Sequence, residues 1–339
     1  MTATIKDVAH LAGCSIKTVS RVINNEPHVT ADLRKRVQAA IRAVGFAPNI
    51  SARRLVQNKA YMICILMYPG YDQTADALLP RIMDIGYDEN YDILVQPYFP
   101  AHNRSKNKLV ELISGRRIDG FVSTPPCDAE GFVPDLLVTY KVPLVQIDPF
   151  DSSEKIPFVA GDDVEGARMM TEYLIGLGHR RIAFLKGPRN LRSSFNRLNG
   201  YWSALEAENL VVEEKWIEPS EFTFDGGYTA TRLLLERDPK PTAIFAGNDT
   251  AAYGALFAAQ ELGLRVPEHL SICGYTDLAL SKHIWPGLTT IHQPAEEMLE
   301  IATRLLIDIL KGKPPQQTKI VLPSRLIVRG STAPPNKEG

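Results

Sequence analysis

In the stretch SIKTVSRVIN, residues 15–24, the apolar side chains Val19, Val22 and Ile23 fall on one helical face, and Lys17, Ser20, Arg21 and Asn24 fall on the opposite stripe. It is the second of three helices predicted near the start of the chain. The first covers residues 5–12, with Thr4 as N-cap, Asp7 in the first turn and Gly13 as its stop. Ser15 can cap the second helix, so the chain must turn a sharp helix-turn-helix corner between them. The third begins after Thr30 and carries Leu33, Val37, Ala40, Ile41 and Val44 at i, i+4, i+7, i+8 and i+11, a buried stripe closed by Gly45. Three short helices can share one small core, which leaves the outer face of the second free.

The next stretch, GFAPNISARRLVQNKAY (residues 45–61), has a helix start at Pro48 and Asn49 but only about eight residues before Gln57, Asn58 and Lys59. A helix that short does not persist alone. Ser51, Ala52 and Leu55 form a small-residue stripe with one large apolar side chain, and Arg53 and Arg54 face elsewhere. Two copies could pair and wedge their leucines into a minor groove; the alternative is an ordinary linker. From Tyr61 the period changes. MICILM, YDILVQ, IDGFVS and VPLVQID read as parallel strands separated by helical patterns, and RIAFLKG, PTAIFAGND and LSICGY add more after residue 180. Repeated βα units predict an α/β body of two doubly wound parallel-sheet lobes behind an all-α head. The chain crosses to the second lobe near Asp162 and Asp163, returns near LTTIHQP, and crosses last between KIVLP and SRLIVRG. The expected boundaries are a head at 1–46, a hinge at 47–60 and a body at 61–330. Its first lobe takes about 61–160 and 291–322, its second about 161–290 and 323–330, and 331–339 form a disordered tail. That tail is polar, Pro-rich and without leucine heptads, which predicts no C-terminal tetramerisation coil.

Charge sharpens this division. The chain has 339 residues and a formal net charge of -1. Residues 1–60 nevertheless hold ten Lys or Arg against three acids, a net of +7, and the remainder is net -8. A cationic head on an acidic body suits phosphate neutralisation on nucleic acid. In that setting the second helix fits the major groove: Lys17 and Arg21 are donors for guanine, Ile16 can pack on a thymine methyl, and Ser15, Thr18, Ser20 and Asn24 can hold phosphates. No signal peptide or membrane span is legible, and Cys14, Cys64, Cys127 and Cys273 lack metal or redox spacing. These features predict a cytoplasmic protein with free thiols and no cofactor or metal.

TIKDVAHLAGCSIKTVSRVIN followed by GFAPNISARRL resembles the head and hinge helix of the LacI family of bacterial transcriptional regulators, and the likeness runs to about residue 330. The resemblance implies Ile16, Lys17 and Arg21 at the base-reading positions, His28 as a supporting DNA contact, and Leu55 as the hinge leucine intercalated at a central CpG step. It also implies a periplasmic-binding-protein-like effector unit. In such sheets ligands sit at the carboxyl ends of strands, here in the cleft between the lobes. Arg197 matches the family's ligand-gripping arginine and Asn248 its polar strand-end residue, while Phe222 falls where some members place an aromatic ring against a sugar. Asp148, Tyr71 and Gln73 are candidates from the first lobe. Each has a plainer alternative: Asn248 and Asp249 as helix caps, Phe222 as core, Arg197 in an interlobe salt bridge. One departure matters: many members read GYD or GFD, but this chain reads GYTD, with Thr276 at the aspartate position and Asp277 one further on.

The resulting expectation is a homodimeric, ligand-responsive regulator. Two heads bind double-stranded operator DNA at half-sites of a pseudo-palindrome, and a small sugar releases them. A corepressor-type regulator answering to a nucleobase or nucleoside is the alternative. The rival class is a two-domain α/β enzyme, for which no P-loop, GxSxG, HExxH or GxGxxG is present. A sequence-tolerant architectural DNA protein has no need of the large cleft unit.

Overall fold

The structure is a computed structural model that describes residues 3–23, 29–46, 59–68, 75–153, 155–211, 213–313 and 315–336, the side chains of 75–78 excepted. The chain divides into two compact units, Met1–Ala60 and Tyr61–Gly339.

In the first unit α1 (Ile5–Ala12), α2 (Ile16–Ile23) and α3 (Ala31–Val44) follow the apolar stripes of the sequence. Asp7 reaches back to Thr4, accepting from its backbone N–H at 2.8 Å and its hydroxyl at 2.7 Å, which closes the start of α1. Gly13 and Gly45 end α1 and α3 in the left-handed conformation that glycine takes without strain. Val8, Ala9, Ala12, Val19, Val22, Val37 and Ala40 are buried together, and the Arg36 guanidinium donates to the Ala12 carbonyl at 2.8 Å, fixing α3 to the end of α1.

The second unit is built from β1 (Met62–Met67), α4 (Ala75–Glu89), β2 (Asp92–Pro97), α5 (Asn103–Ser114), β3 (Gly120–Ser123), α6 (Phe132–Thr139), β4 (Leu144–Ile147) and β5 (Phe158–Gly161). It continues through α7 (Asp163–Gly176), β6 (Ile182–Lys186), α8 (Arg192–Ala207), β7 (Ile217–Pro219), α9 (Phe224–Leu235), β8 (Ala243–Ala246), α10 (Asp249–Glu261) and β9 (Ser271–Thr276). The last elements are β10 (Thr289–His292), α11 (Ala295–Leu310), β11 (Lys319–Leu322) and β12 (Arg325–Ile327). Two six-stranded sheets result, ordered β11-β5-β4-β3-β1-β2 and β12-β10-β9-β8-β6-β7. The second repeats the first, except that its last strand, β12, runs antiparallel to β10. Both sheets carry buried apolar residues on two faces, as parallel strands covered by helices require. The chain passes between sheets from β5 to α7, from β10 to α11 and from β11 to β12. Gly161 closes a first-lobe strand and His292 a second-lobe strand, and the first two crossings follow these residues. Among the described residues no helix is long and apolar enough to cross a membrane.

The expectation of a disordered tail needs correction. Residues 331–336 run along the second lobe: the Ser331 hydroxyl, fully buried, accepts from Thr289 N at 2.8 Å, and Ile272 N donates to the Ser331 carbonyl at 2.9 Å. Ala333 N donates to Ser271 Oγ at 3.0 Å, and the buried His179 ring lies against both Ser271 and the Ala333 carbonyl. A Pro-rich composition marks an absence of helix or strand; it does not prevent ordering where buried backbone groups supply partners.

The head surface and the interlobe cleft

On the head, α2 buries Val19 and Val22 and presents Ile16, Lys17 and Arg21 to solvent, with Ile16 45% exposed. An exposed isoleucine between polar neighbours contributes nothing to this core and is available to a partner. Ser15 caps α2: its Oγ accepts from Thr18 N at 3.1 Å and lies 2.9 Å from Thr18 Oγ1. Part of the hydrogen-bonding capacity expected for phosphate at Ser15 and Thr18 is therefore used within the head. Ser20 is half-buried. Asn24, His28, Ser51, Ala52, Leu55, Tyr71 and Gln73 lie outside the described residues.

In the second unit the strand ends β8, β9 and β10 face a cavity of about 810 Å³ whose lining includes Arg197, Phe222, Asn248, Thr276, Asp277 and Gln293. Arg197 is 2% exposed, which decides how it must be read. Its Nε donates to Asp163 at 2.9 Å, Nη1 to the Gly247 carbonyl at 2.7 Å and Nη2 to Gln293 Oε1 at 3.3 Å, while its carbon centre lies 3.9 Å from the Tyr275 ring centroid. A buried guanidinium survives only with its fork satisfied, and here the protein itself satisfies much of it. The interlobe salt bridge raised from sequence is thus replaced by one within the second lobe, since Asp163 begins α7 after the crossing from β5.

Gln293, which the sequence reading did not single out, completes the interlobe link. Its Nε2 donates to Asp148 Oδ2 at 3.2 Å, so one amide joins Arg197 of the second lobe to Asp148 of the first. Asp148 also accepts from Gly161 N at 3.0 Å and lines a separate cavity of about 210 Å³ with Asp163, Arg192 and Asn196. Burial, then the neighbouring Asp163 carboxylate, push the Asp148 carboxyl up to about 8; burial raises that of Asp163 too, against the pull of Arg197.

Asn248 caps α10, its Oδ1 accepting from Ala251 N at 2.9 Å, while its Nδ2 donates to the Phe222 carbonyl at 2.9 Å. The cap alternative is thus realised, and the same amide holds the Phe222 backbone at the cavity wall. Phe222 is largely buried with φ +57°, and its ring occupies the space that a Cβ on Gly187 or Gly247 would need. Thr276 has φ +117°, far outside the usual range of a β-branched residue, and its buried hydroxyl has no hydrogen-bond partner. Asp277 lines the cavity but is committed elsewhere: Oδ1 accepts from Arg329 at 2.6 Å and Oδ2 lies 3.2 Å from His292 Nδ1. The Asp277 carboxylate thus lines the cavity while part of its accepting capacity is used in an internal ion pair. Asp148, Phe222, Thr276 and Asp277 all have positive φ, and such strain clusters at binding sites because the surrounding structure must be built to hold it.

Comparisons with known proteins match segments of both units. Residues 4–49 match a model of the bacterial regulatory proteins of the lacI family, and residues 171–332 match a periplasmic binding protein-like domain. The ribose operon repressor of Escherichia coli (strain K12) is 33% identical over 97% of this chain and 99% of its own length. Among solved structures, the lac repressor dimer bound to operator and the anti-inducer ONPF superposes with a TM-score of 0.81 at 27% identity, covering 98% of this chain and 100% of that one. The transcriptional regulator CelR in complex with cellobiose superposes with a TM-score of 0.73 at 29% identity, covering 97% and 99%.

Proposed function

The chain belongs to the LacI family of bacterial regulatory proteins, and from that premise we propose that it is a dimeric repressor of transcription whose grip on operator DNA is released by a small carbohydrate in the interlobe cavity. The observation that carries this reading is one chain with two surfaces: a basic head with Ile16, Lys17 and Arg21 exposed on one short helix, and a two-lobed unit whose strand ends enclose a polar cavity. Ile16, Lys17 and Arg21 read base edges in the major groove, and Ser15, Thr18 and Ser20 hold phosphates with Asn24 and His28. Ser51, Ala52 and Leu55 take the minor groove between half-sites, where an apolar wedge opens a base step. Such a protein works where its DNA is, in the cytoplasm.

The lining favours a sugar. Among the described residues Phe222 is the one apolar aromatic ring at the cavity, beside the polar groups of Arg197, Asn248, His292 and Gln293 and the unpartnered Thr276 hydroxyl. One apolar ring with several donors and acceptors suits a polyol, whereas a nucleobase has two flat faces to cover. The ribose operon repressor and the cellobiose-bound regulator carry sugars in their names, in keeping with this reading. The dimer is supported by apolar residues exposed on both lobes, Met83 and Tyr87 on α4 and Phe224 and Phe257 on α9 and α10.

The test is fluorescence anisotropy of the full-length protein on DNA from upstream of its own gene, at two salt concentrations, with D-ribose, cellobiose, other sugars and nucleosides. Tight, salt-sensitive binding relieved by a sugar is expected. Binding that needs an added compound would make it a corepressor system, and no specific binding under any condition would overturn the reading.

A further inference from the structure

Asp249 is the first residue of α10, where an acid favours the helix dipole even from the surface. This one is fully buried, so its carboxylate serves something else. Oδ2 accepts from Leu278 N at 2.8 Å and from Ser281 Oγ at 2.6 Å, and Oδ1 accepts from Thr290 Oγ1 at 2.6 Å. Room for that carboxylate comes from Gly274 in β9, where an added Cβ would stand 2.3 Å from Asp249 Oδ1. Three charge-assisted bonds repay the burial of one ion, and all three end on the segment that follows β9 or on the neighbouring strand β10.

The segment held in this way has two ends. At one end Thr276 and Asp277, both at positive φ, line the cavity immediately before Leu278. At the other, the short turn Ala279–Lys282 carries Leu280, 51% exposed. Because Ser281 Oγ gives its proton to Asp249, it accepts from the Tyr253 hydroxyl at 2.8 Å. Tyr253 lies one helical turn before Phe257, which is 52% exposed. One buried carboxylate thus ties a strained corner of the cavity to elements that carry two exposed apolar side chains, Leu280 and Phe257.

We propose that Asp249 is a positioning residue for the ligand response: by holding Leu278 and Ser281 it makes the Thr276 corner and the elements bearing the exposed Leu280 and Phe257 move as one body. It touches neither ligand nor DNA. The inference rests on the cavity being the effector site, as proposed above. It predicts that loosening the tie separates two quantities that a general loss of stability would change together, the affinity for operator and the ligand concentration that abolishes it.

The experiment compares full-length wild type with Asp249→Asn, which keeps the size but replaces one acceptor oxygen with a donor, and with Ser281→Ala. Operator affinity is measured without ligand, release is titrated with D-ribose and with cellobiose, and hydrogen exchange is followed across residues 276–282. Asp249→Asn should bind operator within threefold of wild type, require at least tenfold more sugar for half-release, and exchange at least tenfold faster in 276–282 with β6 and β8 protected as before. Ser281→Ala, which deletes one of the three bonds, should show the same split at about threefold and decides the matter if Asp249→Asn does not fold. A parallel loss of operator affinity, an unchanged release midpoint, or exchange raised across the whole sheet would overturn the proposal. If neither sugar releases wild type, the sugar reading fails, and the exchange arm alone decides on Asp249: local loosening supports the tie, unchanged protection removes it.

Discussion

The smallest unit that sets this protein's behaviour is the buried pair of Arg197 and Asp163, both 2% exposed and 2.9 Å apart. Truncating one partner leaves the other charged and unsatisfied, so Arg197→Ala should cost about 3–5 kcal/mol. A fall in the melting temperature of the second unit, together with loss of the sugar response, is the expected result; a response lost at wild-type stability would mean that the pair contributes nothing to folding. Protons follow the same logic. Burial raises the carboxyls of Asp148 to about 8, Asp128 to about 7 and Asp249 to about 6. In the unfolded chain they ionise near pH 4, so between about pH 4 and 8 the folded state holds more protons and stability falls as pH rises. Thermal melting across pH 5 to 8 should show that decline, and Asp148→Asn should flatten it most above pH 7. Identical slopes for the two proteins would refute this account of Asp148.

At the level of elements, the tail is where order arises without periodicity. Removing residues 331–339 deletes the contacts of Ser331 with Thr289 and Ile272 and of Ala333 with Ser271. Thr332 adds bonds to Tyr173 and Thr289, and the Ala333 carbonyl one to His179, so at about 1 kcal/mol for each bond the second unit should lose more than about 3 kcal/mol, seen as a lower melting temperature with the head unaffected; an unchanged transition would show that the tail only decorates the lobe. The same element shows what sequence reading can reach. Long apolar periods made the three head helices and most strands legible, because burial alone specifies them. The edge strand β7, three residues long, has too few positions for any period to show. Gln293 was illegible for another reason: its partners Arg197 and Asp148 lie 96 and 145 residues away, and no local pattern encodes such a pairing. Asn248 was legible both as a polar strand-end residue and as a helix cap, because the cap is a local pattern, whereas only the fold shows that Asp277 pairs with Arg329, 52 residues away.

For the molecule as a whole, the decisive quantity is how many heads reach the DNA at once. Residues 1–60 carry a net +7, and each phosphate neutralised adds about -0.9 to the slope of log affinity against log salt. A dimer that places two heads on one operator therefore has about twice the slope of a monomer, and its affinity combines two half-site contributions through the effective concentration of the second head. Phe257 is the place to separate the two cases, since it is exposed, packs at a tilt against the Phe224 and Tyr228 rings, and lies outside the cavity. Phe257→Glu puts a charge into the proposed contact between copies while leaving the lobe's interior untouched. Sedimentation should show a monomer, the salt slope should fall to about half, and specific operator affinity should drop by at least a hundredfold with sugar binding to the isolated subunit retained. A monomer that kept the full slope would place all of the phosphate contacts in one head, and the arrangement of two heads on a pseudo-palindrome would have to be abandoned.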